Sequence, residues 1–130
     1  MVLIDDSIVR GTTSMKIVEM VRNAGAREVH MRIAAPPTTD PCFYGIDTPD
    51  ADKLLANQYA DVDAMAKYIG ADSLAFLSID GLYRAMGLPQ GRDARQPSFC
   101  DACFTGDYPI PLDDVKGVED RQLSLLAEPA

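Results

Sequence analysis

The first 34 residues restrict this chain more than any other stretch. M-V-L-I is a short apolar run, and D-D-S-I-V-R-G-T-T is a polar loop behind it. Met15, Val18, Val21 and Arg22 then recur at helical spacing up to about Ala24, with Ser14 or Thr13 as the expected cap. Gly25 stands where a helix stop belongs. From Glu28 to Ala34 the pattern alternates, with Val29, Met31 and Ile33 facing one way and His30 and Arg32 the other. Strand, loop, helix, strand in that order is the parallel crossover unit. Met1–Ile4 reads as a strand buried on both faces, as parallel strands covered by helices are.

The rest of the chain continues in kind. A proline-rich loop, A-P-P-T-T-D-P-C-F-Y-G-I-D-T-P, leads to a short helix over Asp50–Ala56 and a second over Asp61–Ile69. Ser73–Ser78 reads as a third strand and Asp80–Met86 as a short helix ended by Gly87. The composition shifts after Leu88, so residues 1–88 read as the α/β core and 89–130 as an irregular tail that packs back on it, with an acidic end. Three strands make a thin sheet. A phosphate-loop strand is usually central, and this one begins at residue 1, so strands are expected upstream of it.

Charge narrows the functional classes. A formal net charge of -8 argues against a nucleic-acid partner, because phosphate backbones call for a basic surface. No apolar stretch approaches the length of a membrane span, and no basic-then-apolar leader opens the chain. Cytoplasm is the default expectation.

Open α/β sheets bind ligands at the carboxyl ends of their strands. Asp5 and Asp6 stand at such an end, where carboxylates accept from sugar hydroxyls or hold Mg²⁺. Gly11 permits close approach of backbone, and the N–H groups from Arg10 to Ser14 lie at a helix start, where anions bind. Hydroxyls from Thr12, Thr13 and Ser14 add donors. One end suits hydroxyls and metal, the other a phosphate, which is the shape of a phosphoribose. The plainer alternative is a capped helix after a turn bearing two solvated aspartates.

At these residues V-L-I-D-D-S-I-V-R-G-T-T-S resembles the phosphoribosyl pyrophosphate motif of type I phosphoribosyltransferases, in the wording of their amidophosphoribosyltransferase branch. That branch opens purine synthesis by replacing pyrophosphate on ribose C1 with glutamine-derived ammonia. The resemblance implies an α/β fold with a mostly parallel sheet and flanking helices, part of the type I phosphoribosyltransferase fold. It assigns Asp5 and Asp6 to Mg²⁺ and ribose hydroxyls, Ser7 to the same substrate loop, and Arg10, Gly11, Thr12 and Thr13 to the 5′-phosphate. Val9 is apolar where purine-base relatives often carry a carboxylate. Ammonia needs no general base there, and excluding water favours amination.

Cys100 and Cys103 have C-x-x-C spacing, which lets both thiolates reach one metal, and Cys42 is a third thiol. Three thiols are too few for a disulfide framework and one short of the usual metal set. Buried free cysteines are the alternative reading. P-C-F-Y-G-I-D-T-P and C-D-A-C-F-T-G-D-Y-P resemble the cluster-bearing bacterial form of the branch. This implies a 4Fe-4S cluster on Cys42, Cys100 and Cys103, with the fourth ligand outside this chain. His30 is mid-strand and reads as a packed or solvated residue. Asp47 either faces the site or stabilises its turn.

The family enzyme is several times longer and carries an N-terminal glutaminase half, absent here, and it suggests a homo-oligomer. The expectation is a C-terminal piece of such an enzyme, inactive by itself. The competing reading is a non-catalytic module that senses phosphoribosyl pyrophosphate; such regulators carry a basic DNA-binding domain, and nothing here is basic.

Overall fold

A computed structural model describes residues 1–112. Its centre is a parallel three-stranded sheet of β1 (Val2–Asp5), β2 (His30–Ile33) and β3 (Ser73–Phe76), in that spatial order. Val2 pairs with His30 and His30 with Ser73; Leu3 pairs with Met31 and Met31 with Leu74. Parallel pairing puts the carboxyl ends of all three strands at one edge of the sheet.

Crossover segments cover one face. The first holds α1 (Thr12–Asn23). The second holds a single 3-10 turn (Ala51–Lys53), α2 (Leu55–Gln58) and α3 (Val62–Ile69). Period-two alternation sends Val29, Met31 and Ile33 inward, where all three are buried with Val18, Leu55, Met65, Ile69 and Leu74. Helix α3 shows both terminal signals of its sequence. The Asp61 carboxylate accepts from the Ala64 N–H at 2.7 Å, and Gly70 closes the helix with φ of 78°. Beyond β3 come α4 (Ile79–Ala85), started by Ser78 accepting from the Gly81 N–H, and a short α5 (Ala102–Thr105).

Three sequence expectations are revised. The strand expected to be buried on both faces is covered on one: Val2 and Ile4 are 62% and 79% exposed, and Arg32 and Ala75 beside them are exposed as well. No described helix lies on that face, so the outward half of the alternation meets no packing partner. Among the described residues β1 forms one edge of the sheet. The Asp50–Ala56 helix is a 3-10 turn and the start of α2, broken at Leu54, whose ψ of 131° is extended. Finally, α1 is not capped by Thr13 or Ser14. It begins earlier, with Gly11 as its cap and no side-chain capping bond.

The tail is less irregular than its composition suggests. Asp101 and Ala102 are buried, and Tyr83 of α4 donates its hydroxyl to Asp101 Oδ2 at 2.7 Å. Residues 113–130, with the acidic end, lie outside the described residues. No described helix is long and apolar enough to cross a membrane.

Candidate functional site

Asp5 ends β1, and the chain turns there through Asp6–Arg10 into α1. The loop is held at three points. Ile8 is buried in the core at 5% exposure. The Val9 carbonyl accepts from the Leu55 N–H at 2.8 Å. Gly11 then adopts φ of 77°, a left-handed conformation that side chains disfavour. A Cβ there would sit 3.1 and 3.2 Å from the two Leu55 methyls and 3.2 Å from Tyr68 Cε1. Glycine is thus required twice, for the turn and for the close approach to α2 and α3.

This path makes a pocket of about 520 Å³ at the carboxyl end of β1. Continuous loop sequence from Asp5 to Ser14 lines it, and Asp47 and Pro49 complete the wall from the loop that leaves β2. All seven residues assigned from sequence to the phosphoribose (Asp5, Asp6, Ser7, Arg10, Gly11, Thr12 and Thr13) therefore border one space. The carboxylates are locally ordered: Asp5 Oδ1 accepts from the Asp6 N–H at 3.0 Å, and Ser7 Oγ donates to Asp6 Oδ1 at 3.2 Å. At the other end, the first backbone bond of α1 runs from the Met15 N–H to the Gly11 carbonyl. The N–H groups of Thr12, Thr13 and Ser14 precede it and have no partner within the helix. Those donors and the helix dipole make the Gly11–Ser14 end a place for an anion.

Asp47 is exposed at the pocket wall, which settles its position though sequence left it open. Pro49 was not foreseen. The available signal was topological, because a loop leaving the carboxyl end of a parallel strand runs along the same sheet edge as the site. His30 is a packed strand residue, with Nδ1 2.9 Å from Ser73 Oγ and Nε2 3.3 Å from Glu28.

The cysteines lie elsewhere. Cys42 and Cys103 are half-buried and Cys100 is exposed. Their segments touch: the Cys103 carbonyl accepts from the Thr39 and Asp40 N–H groups at 2.9 and 3.1 Å, and Tyr108 donates its hydroxyl to the Pro41 carbonyl at 2.6 Å. Burial first, then the nearby Cys100 and Cys42, pushes the Cys103 thiol up from its ordinary value. Even so, among the described residues no three His, Cys, Asp or Glu side chains come together closely enough to hold a metal ion. A pocket of about 380 Å³ borders Cys100, between Phe99, Asp107 and Tyr108.

No protein-family model matches the chain. Individual proteins do. The amidophosphoribosyltransferase of Rhizobium etli is 68% identical over 127 residues, 97% of this chain, and that of Bacillus subtilis is 50% identical over 111 residues, 85% of it. The chain belongs to the amidophosphoribosyltransferase family. A solved glutamine phosphoribosylpyrophosphate (PRPP) amidotransferase from B. subtilis, complexed with ADP and GMP, superposes with a TM-score of 0.70 and 51% identity, over 83% of this chain. This amidophosphoribosyltransferase segment spans about a quarter of these proteins: 25% of the R. etli relative, 23% of the B. subtilis relative and 23% of the solved chain.

Two groups implied by the family resemblance can be judged against the donors present. Asp5 and Asp6 offer hard carboxylate oxygens in a solvent-reached pocket, which fits Mg²⁺. For an iron–sulfur cluster the donor type fits, since three thiols sit on two segments bonded to each other. Their number falls one short of four, and among the described residues no three such donors are placed to hold a single metal ion.

Proposed function

We propose that this segment supplies the phosphoribosyl pyrophosphate site of an amidophosphoribosyltransferase, which forms 5-phosphoribosylamine from that substrate and glutamine-derived ammonia. The observation that carries this reading is the single pocket shared by two carboxylates and a free helix start. Asp5 and Asp6 accept from ribose hydroxyls and share Mg²⁺. Bound Mg²⁺ supplies charge neutralisation to the departing pyrophosphate. Arg10 and the N–H groups and hydroxyls of Thr12 and Thr13 grip the 5′-phosphate, while Gly11 keeps the backbone close to it. Held at both ends, the ribose has its C1 fixed for attack, which is where positioning lowers the barrier. Val9 offers no base beside the incoming ammonia and keeps an apolar patch at the pocket wall.

Under the same reading Cys42, Cys100 and Cys103 are three ligands of a 4Fe-4S cluster whose fourth ligand lies outside this chain. What supports it is the thiol donor set and the backbone bonding of Cys103 to the segment before Cys42. Glutaminase activity, a homo-oligomeric assembly and a cytoplasmic location go with the complete enzyme.

The 68% identity to the R. etli enzyme provides the experiment. This segment replaces its counterpart there, and steady-state amination is measured with and without Asp5→Asn. Loss of kcat/KM for phosphoribosyl pyrophosphate by about 100-fold or more is expected from removing a charged contact. Unchanged kinetics would refute the site assignment. Binding of the Mg²⁺ complex with no turnover in the unmutated chimera would favour a sensing module. Iron with brown colour after anaerobic purification, lost on Cys103→Ser, would support the cluster; zinc without iron would refute it.

A further inference from the structure

One group of buried charges has no part in the pocket. The Arg92 guanidinium donates from Nε to Asp101 Oδ2 at 2.6 Å and from its terminal nitrogen to Asp101 Oδ1 at 3.2 Å and to Asp107 at 2.8 Å. The Arg92 and Asp101 side chains are 11% and 4% exposed. Tyr83 and Thr105 also donate hydroxyls to Asp101, so its carboxylate is fully engaged. The Arg92 N–H is itself fixed by Asp80 Oδ1 at 3.0 Å. A buried pair this well bonded is expensive to assemble without its other contacts, and pairs of this kind often specify geometry more than stability.

Its geometry leads somewhere. Asp101 precedes α5, whose Cys103 carbonyl receives the Thr39 and Asp40 N–H groups. Five residues beyond Cys103, Tyr108 reaches the Pro41 carbonyl and packs against Phe43 and Tyr44, with ring centroids 5.2 and 6.1 Å away. Tyr44 and Ile110 exchange hydrogen bonds in both directions. From this docked segment the Cys42 N–H donates to Thr48 Oγ1 at 2.6 Å, closing the loop over 42–48. Asp47 and Pro49 flank Thr48 and form the second wall of the pocket. An unbroken series of bonds thus runs from Arg92 to the pocket.

We propose that the Arg92–Asp101 clasp positions the 39–49 loop, so that Asp101 is a positioning residue for the phosphoribosyl pocket although it lies outside it. This rests on the pocket's proposed ligand. The clasp holds α5 and Tyr108 against the loop, and the loop holds Asp47 and Pro49 at the wall. Without it, the loop samples positions in which that wall is open, and only the Asp5–Ser14 side meets the ligand.

The test uses the chimeric R. etli enzyme carrying this segment, with Asp101→Asn, Tyr108→Phe and Thr48→Val made separately. Tyr108→Phe keeps the ring packing and removes only the hydroxyl bond, so it folds even where Asp101→Asn does not. All three variants should raise KM for Mg²⁺–phosphoribosyl pyrophosphate by about 3- to 10-fold, within the range of coupling through such networks. The kcat should move less, and amide exchange over residues 42–49 should quicken. A tail that merely stabilises would lower the melting temperature and leave KM and exchange at 42–49 unchanged, which would overturn the proposal. If Asp5→Asn leaves the kinetics unchanged, the ligand assignment fails by itself; the exchange at 42–49 then still decides whether the clasp positions the loop.

Discussion

Gly11→Ala is the substitution that ties fold and site most directly. Two costs are separable. Placing an L side chain at φ of 77° costs about 1–2 kcal/mol, partly offset by about 0.4–1 kcal/mol from a stiffer unfolded chain. The new methyl would also lie 3.1–3.2 Å from Leu55 and Tyr68, and Leu55 is 1% exposed with no room to retreat. Crowding of this kind adds about 1–3 kcal/mol. Gly25 provides the control: its φ is 99°, and nothing lies within 4 Å of its would-be Cβ, so Gly25→Ala carries the backbone cost alone. At about 2–8 °C per kcal/mol, the span covering chains below and above 130 residues, Gly11→Ala should melt at least about 2 °C below Gly25→Ala. In the chimeric enzyme only Gly11→Ala should also raise KM for phosphoribosyl pyrophosphate, since the displaced backbone borders the pocket. Equal melting temperatures for the two variants would show that Leu55 yields freely, and the close-approach argument would fail.

Other outcomes follow from single contacts. Asp72→Ala should destabilise more than Arg22→Ala, because Asp72 Oδ2 accepts from the N–H of fully buried Val29 at 2.7 Å and its loss strands that donor; urea titration ranks the two. Burial opposes ionisation of Asp101, but bonds from Arg92, Tyr83 and Thr105 outweigh it and hold the carboxyl below its ordinary range. A lowered carboxylate pKa stabilises above the unfolded value and stops doing so as pH falls through the folded one. The docked tail should therefore persist through mildly acid conditions and release only below about pH 4, read by Tyr83 and Tyr108 absorbance; release near neutral pH would contradict the assignment. In metal-free protein Cys100, exposed, should alkylate well before Cys103, whose thiol burial pushes up; mass spectrometry of a pH 8 iodoacetamide time course orders them. Equal rates would mean that Cys103 is not held as described.

Much of the site was legible because it is local. Asp5 to Thr13 are contiguous, and a strand feeding a helix through a glycine leaves few ways to run the loop, so the residues named from the motif all border the pocket. The capping residue was misread for a related reason. Serine and threonine are good caps by propensity, but here the left-handed Gly11 starts the helix, and Ser14 is buried at 3% exposure. The alternation of Val29–Ile33 was equally plain, since a period of two is printed in the order of residues. Asp47 could not be placed by such reasoning, because whether a 17-residue loop returns to the site depends on what it docks against.

The order of the residues by itself determined the parallel crossover, the inward set of β2 and the Asp5–Ser14 loop that lines the pocket, all of which rest on interactions among near neighbours. Only the tertiary structure decided the rest. Ile4 matches its neighbours in hydrophobicity yet stands open to solvent, because burial belongs to whatever packs on a face. Arg92, Asp101 and Tyr83 are unremarkable letters spread over 19 positions until folding removes water from around them. Their bonds then hold the tail against the loop that carries Asp47, where Tyr108 and Pro41 meet from 67 residues apart. Side-chain pairing across such distances leaves no period in a single sequence, because it is selected by shape and desolvation in the assembled fold.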